Sequence, residues 1–143
     1  MNVTNSRILC IDDDTNTSNW IKIMLKGSKV GAEVVTVATG REAFIRLYQE
    51  PFDLCILEYA LSDMTGVQWC SLVRQMGSMV PIMFFSAMNR PIDRERAEAA
   101  GADEYLCKPD DLDLFVDAVT HLLKRRRIDF TETARFTTLP KAA

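Results

Sequence analysis

Short apolar runs alternate with helix-spaced stretches five times along the chain. Residues 7–11 (RILCI) read as a first strand, and Trp20, Ile21, Met24 and Leu25 then recur at helical spacing. Residues 33–38 (EVVTVA) are rich in β-branched side chains and predict a second strand. Thr39-Gly-Arg-Glu42 has the form of a capping box. It predicts a helix through Ala43, Phe44 and Leu47 that closes before Pro51. Residues 54–57 (LCIL) give a third strand, followed by a helix from Gly66 to Met76 with Val67, Cys70 and Val73 on one stripe. Residues 81–87 (PIMFFSA) give a fourth strand, and Pro91 opens a helix that ends at Gly101. Residues 104–107 (EYLC) give the fifth. Asp110 or Asp111 is placed to cap a last helix whose Leu112, Phe115, Val119 and Leu122 face inward.

Strands that are apolar almost throughout, each followed by a helix, imply a parallel sheet covered on both faces. Right-handed crossovers make this a doubly wound α/β domain. One domain is expected over residues 6–124, with a basic, flexible tail over 125–143, and no internal repeat interrupts the pattern.

A chain of 143 residues suits a single core, and 48% hydrophobic with 26% charged residues is ordinary for a globular protein. No apolar run reaches membrane-spanning length, and MNVTNSRIL lacks a basic-then-apolar leader, so a cytoplasmic protein is expected. The net charge of −3 conceals an asymmetry: residues 124–143 carry +4 and residues 1–123 carry −7. An acidic body argues against nucleic acid, and Lys124 to Arg127 read as a basic helix end complementing the dipole. Cys10, Cys55, Cys70 and Cys107 show no metal or disulfide spacing and read as buried thiols. Trp20 and Trp69 read as core residues, with Trp20 and Ile23 as a lesser candidate for a docking patch on the first helix. His121 reads as a surface residue, and Arg94, Glu95, Arg96 and Glu98 as a solvated face with i,i+4 pairs.

In such a fold, ligands bind at the carboxyl ends of the strands. The first strand ends in Asp12, Asp13 and Asp14, the third in Glu58, the fourth in Ser86 and the fifth in Lys108-Pro109. Several carboxylates cannot share a small site fully ionised without a cation. Lys108 supplies one charge, and a hard divalent ion with oxygen ligands would supply the rest. Acids, a hydroxyl, a lysine and a metal on one edge suit phosphoryl transfer, in which a carboxylate attacks in line while cations neutralise the phosphoryl oxygens.

These motifs, ILCIDDD, DLCILE, FFSA and GADEYLCKPDD, in this order over roughly residues 6–124, resemble the receiver domains of two-component response regulators. The resemblance implies a flavodoxin-like sheet in the order 2-1-3-4-5, a Mg2+ site and a phosphate-accepting aspartate, in a signalling domain with no catalytic residues of an enzyme. It makes Asp13 a direct metal ligand and Asp12 an acid reaching the ion through water, with Glu58 and the Ala60 carbonyl completing the set. It makes Ser86 and Lys108 the groups that bind the phosphoryl, and Tyr105 the aromatic whose rotamer follows the switch. Expected partners are a histidine kinase, a phosphotransfer protein or a downstream effector. They would dock on the first helix or on the face of the fourth helix, fifth strand and fifth helix, where a homodimer is also an expectation.

Two positions depart from the family pattern. Ser62 stands where the loop usually has proline, and Glu58 stands where the family has the acceptor Asp. One added methylene moves the carboxylate by roughly 1.5 Å. Misplacing a reacting group by about 1 Å costs on the order of a hundredfold in rate. The longer acid also reaches toward the place of a phosphoryl oxygen, where it would pair with Lys108. The expectation is therefore a protein-interaction module that is not phosphorylated in the ordinary way, with a working phosphoreceiver as the alternative. A haloacid dehalogenase-like phosphatase, suggested by Asp12-x-Asp14, lacks the acidic pair on a later strand. A flavodoxin-like cofactor binder is opposed by the acids that would repel its phosphate.

Overall fold

The computed structural model describes residues 5–138, with side chains up to residue 126. Five strands, β1 (Ser6–Ile11), β2 (Ala32–Val37), β3 (Leu54–Leu57), β4 (Ile82–Ser86) and β5 (Glu104–Cys107), pair in parallel in the order 2-1-3-4-5. Between and after them run α1 (Thr15–Lys26), α2 (Gly40–Gln49), α3 (Gly66–Gln75), α4 (Pro91–Ala99) and α5 (Phe115–Thr138). Among the described residues no helix is long and apolar enough to cross a membrane.

Strand periodicity explains why LCIL is buried throughout. Alternate side chains point to opposite faces. Cys55 and Leu57 join Leu9, Ile11, Ile82 and Phe84 in a core closed by Ala43 of α2, Trp69, Cys70 and Val73 of α3 and Ala97 of α4. Leu54 and Ile56 join Ile8, Cys10, Met83 and Phe85 in a second core closed by Ile21 and Leu25 of α1 and Phe115, Val119 and Leu122 of α5. Both faces of β3 are covered, which is why this strand carries no polar alternation. All four cysteines are buried and unpaired.

The helix starts follow local chemistry with two exceptions. Thr39 accepts from the Glu42 amide, but the box closes on one side only; the full reciprocal box forms instead at Thr65 and Gln68, at the head of α3. Neither Asp110 nor Asp111 caps α5. A short 3-10 turn, Leu112–Leu114, intervenes, and Asp111 folds back to accept from the Cys107 amide at 2.8 Å. Arg94 does not form an i,i+4 pair on α4 either; it reaches across to the Tyr105 carbonyl and Asp111.

α5 continues to Thr138, past residue 125 where the tail was expected to begin. Between Asp110 and Leu139 the sequence holds neither Gly nor Pro, so nothing stops the helix from propagating. The side chains of Phe130 and Phe136, and all of Leu139, lie outside the described residues.

Candidate functional site

The register brings four strand ends to one edge of the sheet, with β4 and β5 reaching two residues beyond β1 and β3. Ile11 pairs with Leu57, Leu57 with Phe84 and Ser86 with Cys107. The ladder then continues one step beyond the strands: the Glu58 amide donates to the Ile11 carbonyl at 3.0 Å, and the Lys108 amide to the Ser86 carbonyl at 2.8 Å. Main-chain pairing therefore fixes where the acidic, hydroxyl and lysine side chains begin, before any of them interacts.

Glu58 is the hub. Its Oε1 accepts from the Tyr59 amide at 2.7 Å and from the Ser86 hydroxyl, and its Oε2 accepts from Lys108 Nζ at 2.9 Å. Lys108 also donates to Thr17 Oγ1 at 3.2 Å and Asp12 Oδ2 at 3.4 Å. Burial works against the lysine charge, but the hydrogen bond and charge of Glu58, and then Asp12, outweigh it and hold the Lys108 pKa above its ordinary value. Asp12 is buried, and this desolvation, joined by the charge of Glu58, pushes its pKa upward against the Asp14 amide and Lys108.

A second tier lies behind the hub. The fully buried Ser86 accepts from the Met88 amide at 3.2 Å, and the Met88 carbonyl accepts from the Tyr105 hydroxyl at 2.5 Å. Tyr105 is turned inward and only 7% exposed. Its ring stacks on Phe84 at 5.5 Å and 3°, and the Arg94 guanidinium lies 5.2 Å from the ring centroid. Burial, foremost, drives the Tyr105 pKa upward.

Residues 8–120 match the family described as Response regulator receiver domain. The chain belongs to this receiver family. Among curated proteins it is 33% identical over 137 residues to the transcriptional regulatory protein PrrA of Mycobacterium tuberculosis, covering 96% of this chain and 58% of that one. It is 31% identical over 105 residues to the alkaline phosphatase synthesis transcriptional regulatory protein PhoP of Bacillus subtilis, covering 73% and 43%. The chain thus spans about half the length of these relatives. A solved two-component response regulator from Clostridium difficile superposes with a TM-score of 0.75 at 27% identity, covering 85% of this chain and 98% of that one. Chemotaxis protein CheY4 of Vibrio cholerae gives 0.73 at 25% identity, covering 82% and 98%.

In this receiver, Asp12, Glu58, Ser86 and Lys108 meet in one pocket and Tyr105 is linked to it through Met88. Asp13 remains exposed and Ala60 sits in the β3–α3 loop, bridged to Thr65. Receiver domains generally bind Mg2+ at this place, but the donors as arranged do not fit it. Among the described residues no three His, Cys, Asp or Glu side chains are grouped closely enough to hold a metal ion. Both Glu58 oxygens are committed to Ser86, Tyr59 and Lys108, so Glu58 stands differently from the ligand that the resemblance implies.

Sequence reasoning missed Thr17, Tyr59 and Met88. The Tyr59 and Met88 contributions are main-chain atoms, which leave no compositional signal. Thr17 was legible only as a hydroxyl near the start of α1. Asp63 was also missed: its two oxygens accept from the Gly40 and Arg41 amides, each at 2.9 Å, tying the β3–α3 loop to the head of α2.

Proposed function

We propose that this chain is a phosphorylation-independent receiver, an interaction module whose pocket is engaged by its own Glu58. One observation carries the reading: the Glu58 carboxylate spans Ser86 and Lys108, the two groups that in the family bind a phosphoryl group. An intramolecular carboxylate at that place competes with any incoming phosphoryl for both donors. It also brings only one charge where a phosphoryl group brings nearly two, so the engaged arrangement is held weakly and stays open to regulation by partners.

The consequence for binding follows from the second tier. Ser86, Met88 and Tyr105 form a continuous path from the pocket to the surface of α4 and β5, where Arg94 and Asp111 meet. Engagement of Ser86 by Glu58 favours the inward Tyr105, and a partner docking on α4, β5 and α5 reads that state. PrrA and PhoP are named as transcriptional regulatory proteins, which supports a downstream effector, a histidine kinase or a phosphotransfer protein as the class of partner. A hydrolase reading finds less support, because the acids are tied to Lys108 rather than presented to a substrate.

Intact-protein mass spectrometry after incubation with acetyl phosphate and Mg2+ tests the proposal. The unmodified chain is expected to gain nothing, and Glu58→Asp to gain one phosphoryl group. Labelling of the unmodified chain that disappears in Glu58→Gln would make it a working phosphoreceiver with a glutamate acceptor.

A further inference from the structure

The lysine ammonium has three N–H donors, and in this pocket each has an acceptor: Glu58 Oε2, Thr17 Oγ1 and Asp12 Oδ2. Thr17 is itself held. Its hydroxyl donates to Asp14 Oδ2 at 3.1 Å, which turns the oxygen lone pairs toward Lys108. Asp14 in turn is fixed as the cap of α1, accepting from the Asn16 amide at 2.9 Å. The hydrogen bonds therefore run in one direction around the pocket, with Lys108 donating on one side to Thr17 and on the other to the two acids.

The acids are equally committed. Asp12 Oδ1 accepts from the Asp14 amide at 2.9 Å while Oδ2 faces Lys108. Asp13 and Asp14 are exposed and keep their water. In this pocket the carboxylates withdrawn from solvent are Asp12 and Glu58, and among the described residues the cation between them is Lys108. The ammonium also lies 5.3 Å from the Phe85 ring centroid, a cation–π contact. A divalent ion bound by both Asp12 and Glu58 would have to displace Lys108 from them and shed water, which Mg2+ does reluctantly.

We propose that Lys108, positioned by Thr17, is the resident cation of this pocket in place of a divalent ion, so that the engaged arrangement of Glu58 and Ser86 is independent of metal. The inference rests on the reading of Glu58 as a built-in stand-in for the phosphoryl group. Its test uses no phosphoryl donor, so the two fail separately: a metal-insensitive chain that accepts a phosphoryl group would refute the first reading alone.

The experiment is thermal unfolding of the unmodified chain, Lys108→Met, Thr17→Val and Thr17→Ser, each in EDTA, in Mg2+ alone and in Mn2+ alone. At about 10 mM of either ion, the midpoint of the unmodified chain is expected to stay within about 1 °C of its EDTA value. Lys108→Met leaves the acids without their cation, so its midpoint falls in EDTA and rises by about 3 °C or more with either ion. Thr17→Val loosens the lysine and gains a smaller metal response, whereas Thr17→Ser keeps the hydroxyl and behaves as the unmodified chain. A rise of about 3 °C or more in the unmodified chain overturns the proposal. So does a Lys108→Met variant as indifferent to metal as the parent. Equal behaviour of Thr17→Val and Thr17→Ser removes Thr17 from it. Should Lys108→Met not fold, the unmodified chain and the Thr17 pair still decide the outcome.

Discussion

Glu58 and Tyr105 are joined through Ser86 at the end of β4 and Met88 in the β4–α4 connection. Glu58 holds the Ser86 hydroxyl, Ser86 accepts from the Met88 amide, and the Met88 carbonyl accepts from the Tyr105 hydroxyl. A change at the end of β3 is thereby linked to a ring on β5 with no long-range motion. The path is short, polar and nearly buried, so each link has a measurable consequence.

Removing the Glu58 charge tests the first link. Glu58→Gln keeps the shape but removes the negative charge that Lys108 pairs with. A loss of about 1.5–3 kcal/mol is expected in urea unfolding at neutral pH, the range for hydrogen bonds to charged groups. The pH dependence has a definite sign. Because Lys108 is raised above its ordinary 10.5, its contribution is fully present below that value and is lost as pH rises through the higher folded pKa. The gap between the two chains should therefore be constant near neutrality and narrow above pH 10.5.

Tyr105→Phe keeps the stacking on Phe84 and deletes the hydroxyl that satisfies Met88. A loss of about 1 kcal/mol is expected. Hydrogen exchange should quicken at the Met88 amide while the β1 and β3 amides keep their protection. Unchanged exchange at Met88 would mean that the loop is held by other contacts.

Asp63 offers an acid-side test at a distance from the pocket. Hydrogen bonds from the Arg41 and then the Gly40 amide hold its carboxyl below the ordinary 3.8. A depressed pKa gives stability that is present above the unfolded value and lost as pH falls through the folded one. Asp63→Ala should lower the melting temperature by the same amount across neutral and mildly acidic pH. The difference should close as pH drops below 3.8.

Gly66→Ala tests how tightly the loop after Glu58 is packed. A Cβ at this buried position would collide with the Glu58 carbonyl oxygen, and with Phe84 at 2.9 Å. One of these is backbone and cannot swing away, so a cost of about 1–3 kcal/mol is expected by urea unfolding. Because the collision displaces Glu58, the inward Tyr105 should also loosen, visible as altered near-ultraviolet circular dichroism.

The alternation of apolar runs and helical stripes determined the doubly wound sheet, since strands buried on both faces must be apolar at every position. Leu54 to Leu57 show this directly, feeding two cores by alternation. The placing of Asp12, Glu58, Ser86 and Lys108 on one edge was also legible, because parallel strands end on the same side. The extent of α5 was less legible: residues 125–143 read as a tail, and the helix runs on to Thr138 because nothing in the local chemistry breaks it.

Where the Glu58 oxygens go was beyond sequence. A carboxylate at a strand end can face water, an ion, a hydroxyl or a lysine, and these differ by an ångström or two in reach. The sequence by itself determined that Glu58, an acid with one methylene more than aspartate, stands at the end of the third strand. Only tertiary structure decided that this methylene carries the carboxylate to Ser86 and Lys108, and that Thr17 completes the lysine, because those atoms come from four segments whose relative positions are set by the sheet.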